Sequence, residues 1–209
     1  MQKSVAMMSD ARHSFDLATL ALLTDASAEA VAADIRETDQ RINQTEQQLR
    51  SELMVHVAVK GATDIGSVLA FTLLLKKIER VGDQAKNILD LAENGVSLAG
   101  KPETDSLMEE RQILSAYFAE AGELLTSADP SSEALDDYGD RVTATMASYQ
   151  SAIDGYMSSE RPGHEVVPLA IYYRYLRRIA ANLLGVVRTS AESVPHIDYL
   201  DDGTVDTDD

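Results

Sequence analysis

Two acidic residues, Glu79 and Asp83, are spaced in this sequence so that their side chains could act together. They are four positions apart within residues 78–88 (IERVGDQAKNI), so both carboxylates lie on one face if the segment is helical. Like charges at this spacing destabilise a helix by roughly 0.2–0.5 kcal/mol unless a cation lies between them. Gly82, between the two acids, has no side chain and lets another group come close. The segment therefore predicts a carboxylate-lined cation site on a helix.

A plainer interpretation of the same residues is a charged, solvated helix face. Lys76, Arg80 and Lys86 lie within one or two helical turns of the acids and can balance their charge. Taken alone, the spacing favours this interpretation, because charged faces are usual on the surfaces of soluble helical proteins.

The residues needed for most other reaction chemistry are missing. The chain has no Cys, which excludes disulfides, thiolate-bound zinc and a thiol nucleophile. No Glu-x-x-His or His-x-x-x-His pair is present, so a ferritin-like di-iron centre is not expected. No nucleophile motif, phosphate loop or dinucleotide glycine pattern appears either. We therefore expect no enzyme and no catalytic residue, and ordinary surface or half-buried roles for His13, His56, His164 and His196.

The charge of the chain limits its partners. Its 209 residues carry a formal net charge of −17, which repels phosphate backbones and anionic lipid, so no nucleic-acid partner is expected. We interpret the aromatic and basic residues 172–178 as core tyrosines beside solvated arginines rather than as a base-stacking platform. The first residues lack the apolar core of a secretory signal, and the longest apolar stretch, residues 65–75, is shorter than the roughly 20 residues that cross a bilayer. A cytoplasmic location is expected.

The segments that must position these residues favour helix throughout. Ala, Leu, Glu, Gln, Lys and Arg dominate them, with apolar residues at helical spacing and almost no strand-like alternation. Pro168 is expected in or just before the first turn of the last helix. Gly, Asn, Ser and Pro break the pattern and divide it into helices at about residues 3–24, 28–59, 63–94, 104–127, 132–157 and 164–193.

Short links between long helices force neighbours to be antiparallel. The predicted fold class is therefore all-α: two tandem antiparallel three-helix bundles, six long helices in total, with a disordered acidic C-terminal tail. A degenerate duplication supports this arrangement, because Asp39 lies 97 positions before Asp136 and Glu79 lies 98 positions before Arg177. The predicted domains are residues 1–98 for the first repeat, 103–195 for the second, degenerate repeat, and 196–209 for the tail.

The sequence resembles the PhoU family of phosphate-uptake regulators. Residues 79–83 (ERVGD), followed by Asn87 and Ile88, are similar to the signature of the family's third helix. Residues 39–43 (DQRIN) are similar to the signature of its second helix. The resemblance runs in order from about Met8 to Ser193, and its specific motifs are in the first half.

The resemblance implies a function. PhoU proteins are two-repeat, six-helix peripheral partners of the high-affinity phosphate transporter and its sensor kinase, and they restrain phosphate uptake and signalling. It implies here a non-enzymatic cytoplasmic regulator that acts as an adaptor on a transporter component, a sensor kinase or both. Such a protein is peripheral to the membrane through its protein partners, not inserted, and a homodimer is compatible with it. Two alternatives stay open: a PhoU-like accessory domain of a sodium–phosphate cotransporter, and a metal-binding helical protein unrelated to phosphate.

The resemblance also implies a metal site in the first repeat. Some family members bind iron or zinc clusters through acidic motifs, so the expected cofactor is a metal ion: iron, zinc, magnesium or manganese. Hard oxygen ligands suit magnesium, calcium, manganese or ferric iron better than softer metals. The implied ligands are Glu79 and Asp83 of the third helix, with Asp39 and Glu46 from the second.

The second repeat departs from this motif. Arg177 stands where the family has Glu, and Ala181 stands where it has Asp. A guanidinium is a permanent cation whose planar fork matches a carboxylate. We therefore predict that Arg177 pairs with Asp136 or Asp140 and replaces a metal as the neutralising charge in the second half.

Overall fold

A computed structural model describes residues 2–127 and 130–191, and 88% of these residues are helical, with no strand among them. The prediction of an all-α fold is confirmed. The tail predicted for residues 196–209 lies outside the described residues. No helix in the described part of the chain is both long and apolar enough to cross a membrane. The described helices are α1 (Gln2–Leu23), α2 (Ala28–Lys60), the short 3-10 helix Ala62–Asp64, α3 (Ile65–Glu93), α4 (Thr104–Thr126), α5 (Ser132–Met157) and α6 (Gly163–Ala191).

The helices end where the sequence breaks their pattern. Gly61 follows α2 with φ of 76° and Gly95 comes shortly after α3 with φ of 85°, both in the left-handed region that glycine adopts readily. Before α5, the Oγ of Ser131 accepts a hydrogen bond from the backbone N–H of Ala134 at 3.2 Å. Ser27 holds the same position before α2, but its side chain makes no capping hydrogen bond.

The prediction for Pro168 is wrong. Helix α6 begins at Gly163, so Pro168 is its sixth residue and lies beyond the first turn. The helix continues through a residue that has no N–H to bond the carbonyl of His164, four positions earlier. Because His164 is exposed at the start of the helix, water can satisfy that carbonyl.

The helices form two three-helix units, as predicted, and the two units share a core. In the first unit α1, α2 and α3 pack on one another, and in the second α6 packs against α4 and α5. Helix α1 also packs on α4, and α3 packs on α6. Buried apolar residues from all six helices belong to one cluster, in which the rings of Phe15 in α1 and Phe118 in α4 stack with centroids 5.5 Å apart. The predicted boundary between domains, residues 98–103, falls in the link between α3 and α4.

Four tyrosines are packed into the core of the second half. Burial raises the pKa of the hydroxyls of Tyr138, Tyr149, Tyr172 and Tyr173, that of Tyr173 to about 12. The hydroxyl of Tyr172 is buried with no hydrogen-bond partner among the described residues. Residues 172–178 thus place tyrosines in the core beside exposed arginines at 174 and 178, as predicted.

We expect alkaline titration to distinguish these tyrosines from exposed ones. The ordinary pKa of tyrosine is about 10, so above that pH the unfolded chain loses protons that the folded chain keeps. The unfolded state then binds fewer protons, and stability falls as pH rises above about 10. An ultraviolet titration of tyrosinate should therefore show fewer than the eight tyrosines of the chain ionising while the helical circular dichroism is intact. The same titration in denaturant is the control, and eight ionisations near pH 10 in the folded protein would contradict the prediction.

Candidate functional site

The candidate site lies where α2 and α3 pack together. Gly82 of α3 is buried, and a Cβ at this position would lie 3.1 Å from the Cδ1 of Ile42 in α2. The missing side chain lets Ile42 approach α3 closely, which is the kind of role predicted for this glycine. The contact places α2 beside the positions of α3 that carry Glu79 and Asp83.

One lysine joins two of the predicted ligands across this contact. The Nζ of Lys86 lies 3.1 Å from the Oδ2 of Asp39 in α2 and 3.4 Å from the Oδ1 of Asp83 in α3. Asn43 also donates a long hydrogen bond, 3.4 Å, to the Oδ2 of Asp39. Burial acts to lower the pKa of Lys86, but the hydrogen bond and charge of Asp39, with the charge of Asp83, raise it above its ordinary value. Lys86 therefore stays an ammonium at neutral pH.

The other two predicted ligands have basic partners of their own. The Oε2 of Glu79, which is half-buried, lies 2.7 Å from the Nζ of Lys76. The buried Glu46 accepts a hydrogen bond of 3.1 Å from the Nη1 of Arg50. Each basic residue lies three or four positions from its acid on the same helix, so neither pair needs α2 and α3 to meet.

This arrangement does not provide the ligand set of a metal ion. Magnesium and calcium need several oxygen ligands converging at about 2.0–2.6 Å. Within residues 2–127 and 130–191, no group of three or more His, Asp or Glu side chains could hold a metal. A basic side chain stands against each of the predicted ligands, Glu79, Asp83, Asp39 and Glu46. The geometry is closer to the plainer interpretation, a charge-balanced face, and metal binding stays a prediction.

The corresponding positions of the second half lie on α5 and α6. Arg177 is half-buried on α6, and Asp136 and Asp140 are exposed on α5. Ala181 follows one turn after Arg177, so this stretch of α6 has no counterpart of the acid pair of α3. The ion pair predicted between Arg177 and one of the two aspartates stays a prediction.

The described histidines are surface residues. The Nε2 of His13 lies 3.0 Å from the Oδ2 of Asp34, and the Nε2 of His56 lies 3.1 Å from the Oδ2 of Asp64. The hydrogen bond with His13 lowers the pKa of Asp34. His164 is exposed, and the fourth histidine lies outside the described residues. These placements agree with the ordinary roles predicted for them.

A polar network between α1 and α4 was missed by sequence reasoning. The Nη2 of Arg111 lies 2.9 Å from the Oδ1 of Asp16, and its Nε donates to the Oγ1 of Thr19 at 3.1 Å. The Nε of Arg12 donates to the Oγ of Ser115 at 3.0 Å, and this hydroxyl donates to Asp16 at 3.3 Å. The inter-helix partners are 92 to 103 positions apart in the chain, so no local spacing marks them.

The far end of the α2–α3 hairpin is apolar and exposed. The last buried residue of α2 is Leu49 and the first of α3 is Leu74. Groups of exposed apolar side chains mark interaction sites on soluble proteins more often than isolated ones do. The exposed apolar residues of this hairpin end are Met54, Val55, Val59, Ile65 and Leu69.

The fold and the site together define a helical-bundle protein of two three-helix units, with a charge-balanced face in its first unit. The family model of the PhoU domain matches residues 5–92, which span nearly all of α1, α2 and α3. Residues 5–92 match the PhoU domain, so the resemblance seen in residues 39–43 and 79–83 is confirmed.

Nearly all of the chain matches the fold of a PhoU protein of known structure. The crystal structure of PhoU from Pseudomonas aeruginosa matches it with a TM-score of 0.73 at 18% sequence identity, over 95% of this chain and 94% of that chain. No curated protein matches the chain in sequence. Assignment of residues 5–92 to the PhoU family supports a role in phosphate regulation.

Proposed function

We propose that this protein is a non-enzymatic, cytoplasmic regulator of phosphate transport that acts as an adaptor on a transporter component. The observation that carries the proposal is the PhoU domain over residues 5–92, since that family is regulatory. The absence of a nucleophile, phosphate-loop or di-iron motif from the sequence agrees with an adaptor. Restraint of phosphate-responsive signalling, through contact with the sensor kinase, belongs to the same proposal.

The apolar end of the α2–α3 hairpin supports an adaptor role. Its charged residues balance, Arg50 and Lys60 against Glu52 and Asp64, whereas the whole chain carries −17. An apolar, charge-balanced surface can approach a partner without the long-range repulsion that an acidic surface exerts. The hairpin also lies within the half that matches the PhoU domain. We therefore propose that this surface contacts the cytoplasmic component of a phosphate transporter.

Binding measurements with purified proteins test this function. The immobilised full chain is exposed in turn to the transporter ATPase subunit, to the cytoplasmic part of the sensor kinase and to a soluble copy of itself. We expect specific binding of the transporter subunit. Binding of the kinase alone would show that the adaptor acts on the sensor kinase and not on the transporter. Binding of neither protein would count against an adaptor. Unchanged phosphate uptake and starvation signalling after deletion of the gene would count against the whole proposal.

Met54→Glu is expected to weaken transporter binding about tenfold or more, as loss of a strong interface contact does. Met54 is 74% exposed, so a charge there costs the folded monomer little. Met157→Glu is the matched control, because Met157 is 76% exposed but lies at the end of α5. Both variants should keep the wild-type melting temperature. Equal binding by the two variants would show that the hairpin end is not the contact surface.

A further inference from the structure

Lys86 occupies the place where a cation between α2 and α3 would be expected. Its ammonium bridges Asp39 of α2, whose side chain is only 17% exposed, and Asp83 of α3. Two carboxylates from neighbouring helices at a half-buried contact need a nearby positive charge, because the low local dielectric strengthens their repulsion. The ammonium of Lys86, three positions after Asp83 on α3, supplies that charge and is covalently part of the chain.

The other two predicted ligands are neutralised within their own helices. Glu79 has Lys76 and Glu46 has Arg50, each within one turn on its own helix. Lys86 differs from these two because it links two helices rather than two positions of one helix. A divalent cation held by both aspartates would have to displace the ammonium.

We propose that Lys86 is the structural cation of the first repeat, so that this chain joins α2 to α3 through an internal Asp39–Lys86–Asp83 bridge and needs no metal ion there. The bridge lies beside the close contact of Gly82 with Ile42 and closes the same interface from its polar side. It follows that chelators and divalent metals leave the wild-type fold unaffected. The inference concerns the folded chain alone and stands or falls separately from the proposed adaptor function.

The first test uses the wild-type protein. Its melting temperature is measured after dialysis against EDTA and again with magnesium, manganese, zinc or ferric iron added at millimolar concentration or to the limit of solubility. We expect shifts below about 1 °C, since a ligand that does not bind the native state cannot stabilise it. A rise of several degrees that is lost in Asp39→Asn would show a metal bound at this position and overturn the proposal.

The second test removes the ammonium. Lys86→Met keeps roughly the length of the side chain but leaves the two aspartates without the ammonium between them. It should lower the melting temperature by about 2–5 °C, the shift typical of a lost interaction in a chain of this size. Millimolar manganese should restore part of that loss, because the two carboxylates then have room for an added cation. Lys76→Met is the matched control: it removes a lysine from the same face but leaves the bridge, so manganese should have no effect.

A double substitution separates the bridge from general effects of charge. In Asp39→Asn with Lys86→Met, the loss should be clearly smaller than the sum of the two single losses, as expected for partners in contact. Additive losses, or a Lys86→Met protein that melts like the wild type, would show that the ammonium does not join the helices. The wild-type metal titration decides the metal question even if a variant fails to fold.

Discussion

Phe118→Ala is expected to lower the free energy of unfolding by about 3–5 kcal/mol, the cost usual for removing a large buried ring. Phe118 is buried on α4 and stacks on the equally buried Phe15 of α1, so the cavity opens between the two halves. Ile113→Ala on the same helix is the control, because Ile113 is 40% exposed and its truncation should cost less than about 1 kcal/mol. Guanidinium unfolding followed by far-ultraviolet circular dichroism measures both.

The same variant tests whether the halves unfold together. Because one apolar cluster contains residues of all six helices, we expect a single transition in the wild type and in Phe118→Ala. Amide hydrogen exchange should accelerate in α2 as well as in α5, although neither helix carries the substitution. Two separate transitions, or faster exchange confined to the second half, would contradict a shared core.

The helices were predictable because each is marked by local chemistry. Apolar residues at helical spacing identify their buried faces, and Gly61 and Gly95 supply the left-handed backbone near the ends of α2 and α3. Ser131 caps α5 with its hydroxyl. Pro168 was misplaced because its position relative to the first turn depends on where α6 begins, and the exposed residues before it do not define that point.

The packing between the halves was not predictable. Asp16 and Arg111 meet across α1 and α4 although they lie far apart in the chain, and the local pairing of Asp16 with Arg12 on α1 does not point to α4. The register of α1 on α4 comes instead from shape, with Phe15 stacked on Phe118. Such contacts depend on how complete helices fit together, which spacing within one helix does not encode.

The candidate site could be predicted from the sequence only in part. The sequence alone predicted that Glu79 and Asp83 share one face of α3 and that Gly82 permits a close approach. It was also enough to place Lys86 within one turn of Asp83. It could not show that Lys86 reaches Asp39, because that contact depends on the register of α2 against α3, which the packing of Ile42 on Gly82 fixes.

A second glycine, Gly185 of α6, has a role that the sequence did not indicate. The side chain of Lys77 in α3 crosses it, and a Cβ at Gly185 would lie 2.6 Å from the Cδ and 2.8 Å from the Nζ of that lysine. Lys77 is only 5% exposed, so its stem fills part of the contact between α3 and α6. An added side chain must either push the lysine out of this space or push the helices apart.

Gly185→Leu is therefore expected to destabilise the protein by about 1–3 kcal/mol, the usual cost of overfilling a packed contact, even though leucine favours helix more than glycine does. Gly122→Leu on α4 is the matched control: no neighbouring side chain lies within 4 Å of its added Cβ, so it should be neutral or stabilising by up to about 1 kcal/mol. Urea unfolding of both variants measures the difference. Adding Lys77→Ala should recover at least about 1 kcal/mol of the Gly185→Leu loss, since the lysine stem would no longer occupy the space. Two results would contradict this role: Gly185→Leu stabilising the protein as much as the control does, or the losses of Gly185→Leu and Lys77→Ala in unfolding free energy simply adding in the double variant. Either would show that the packing of the lysine does not depend on this glycine and that other residues hold the two helices apart.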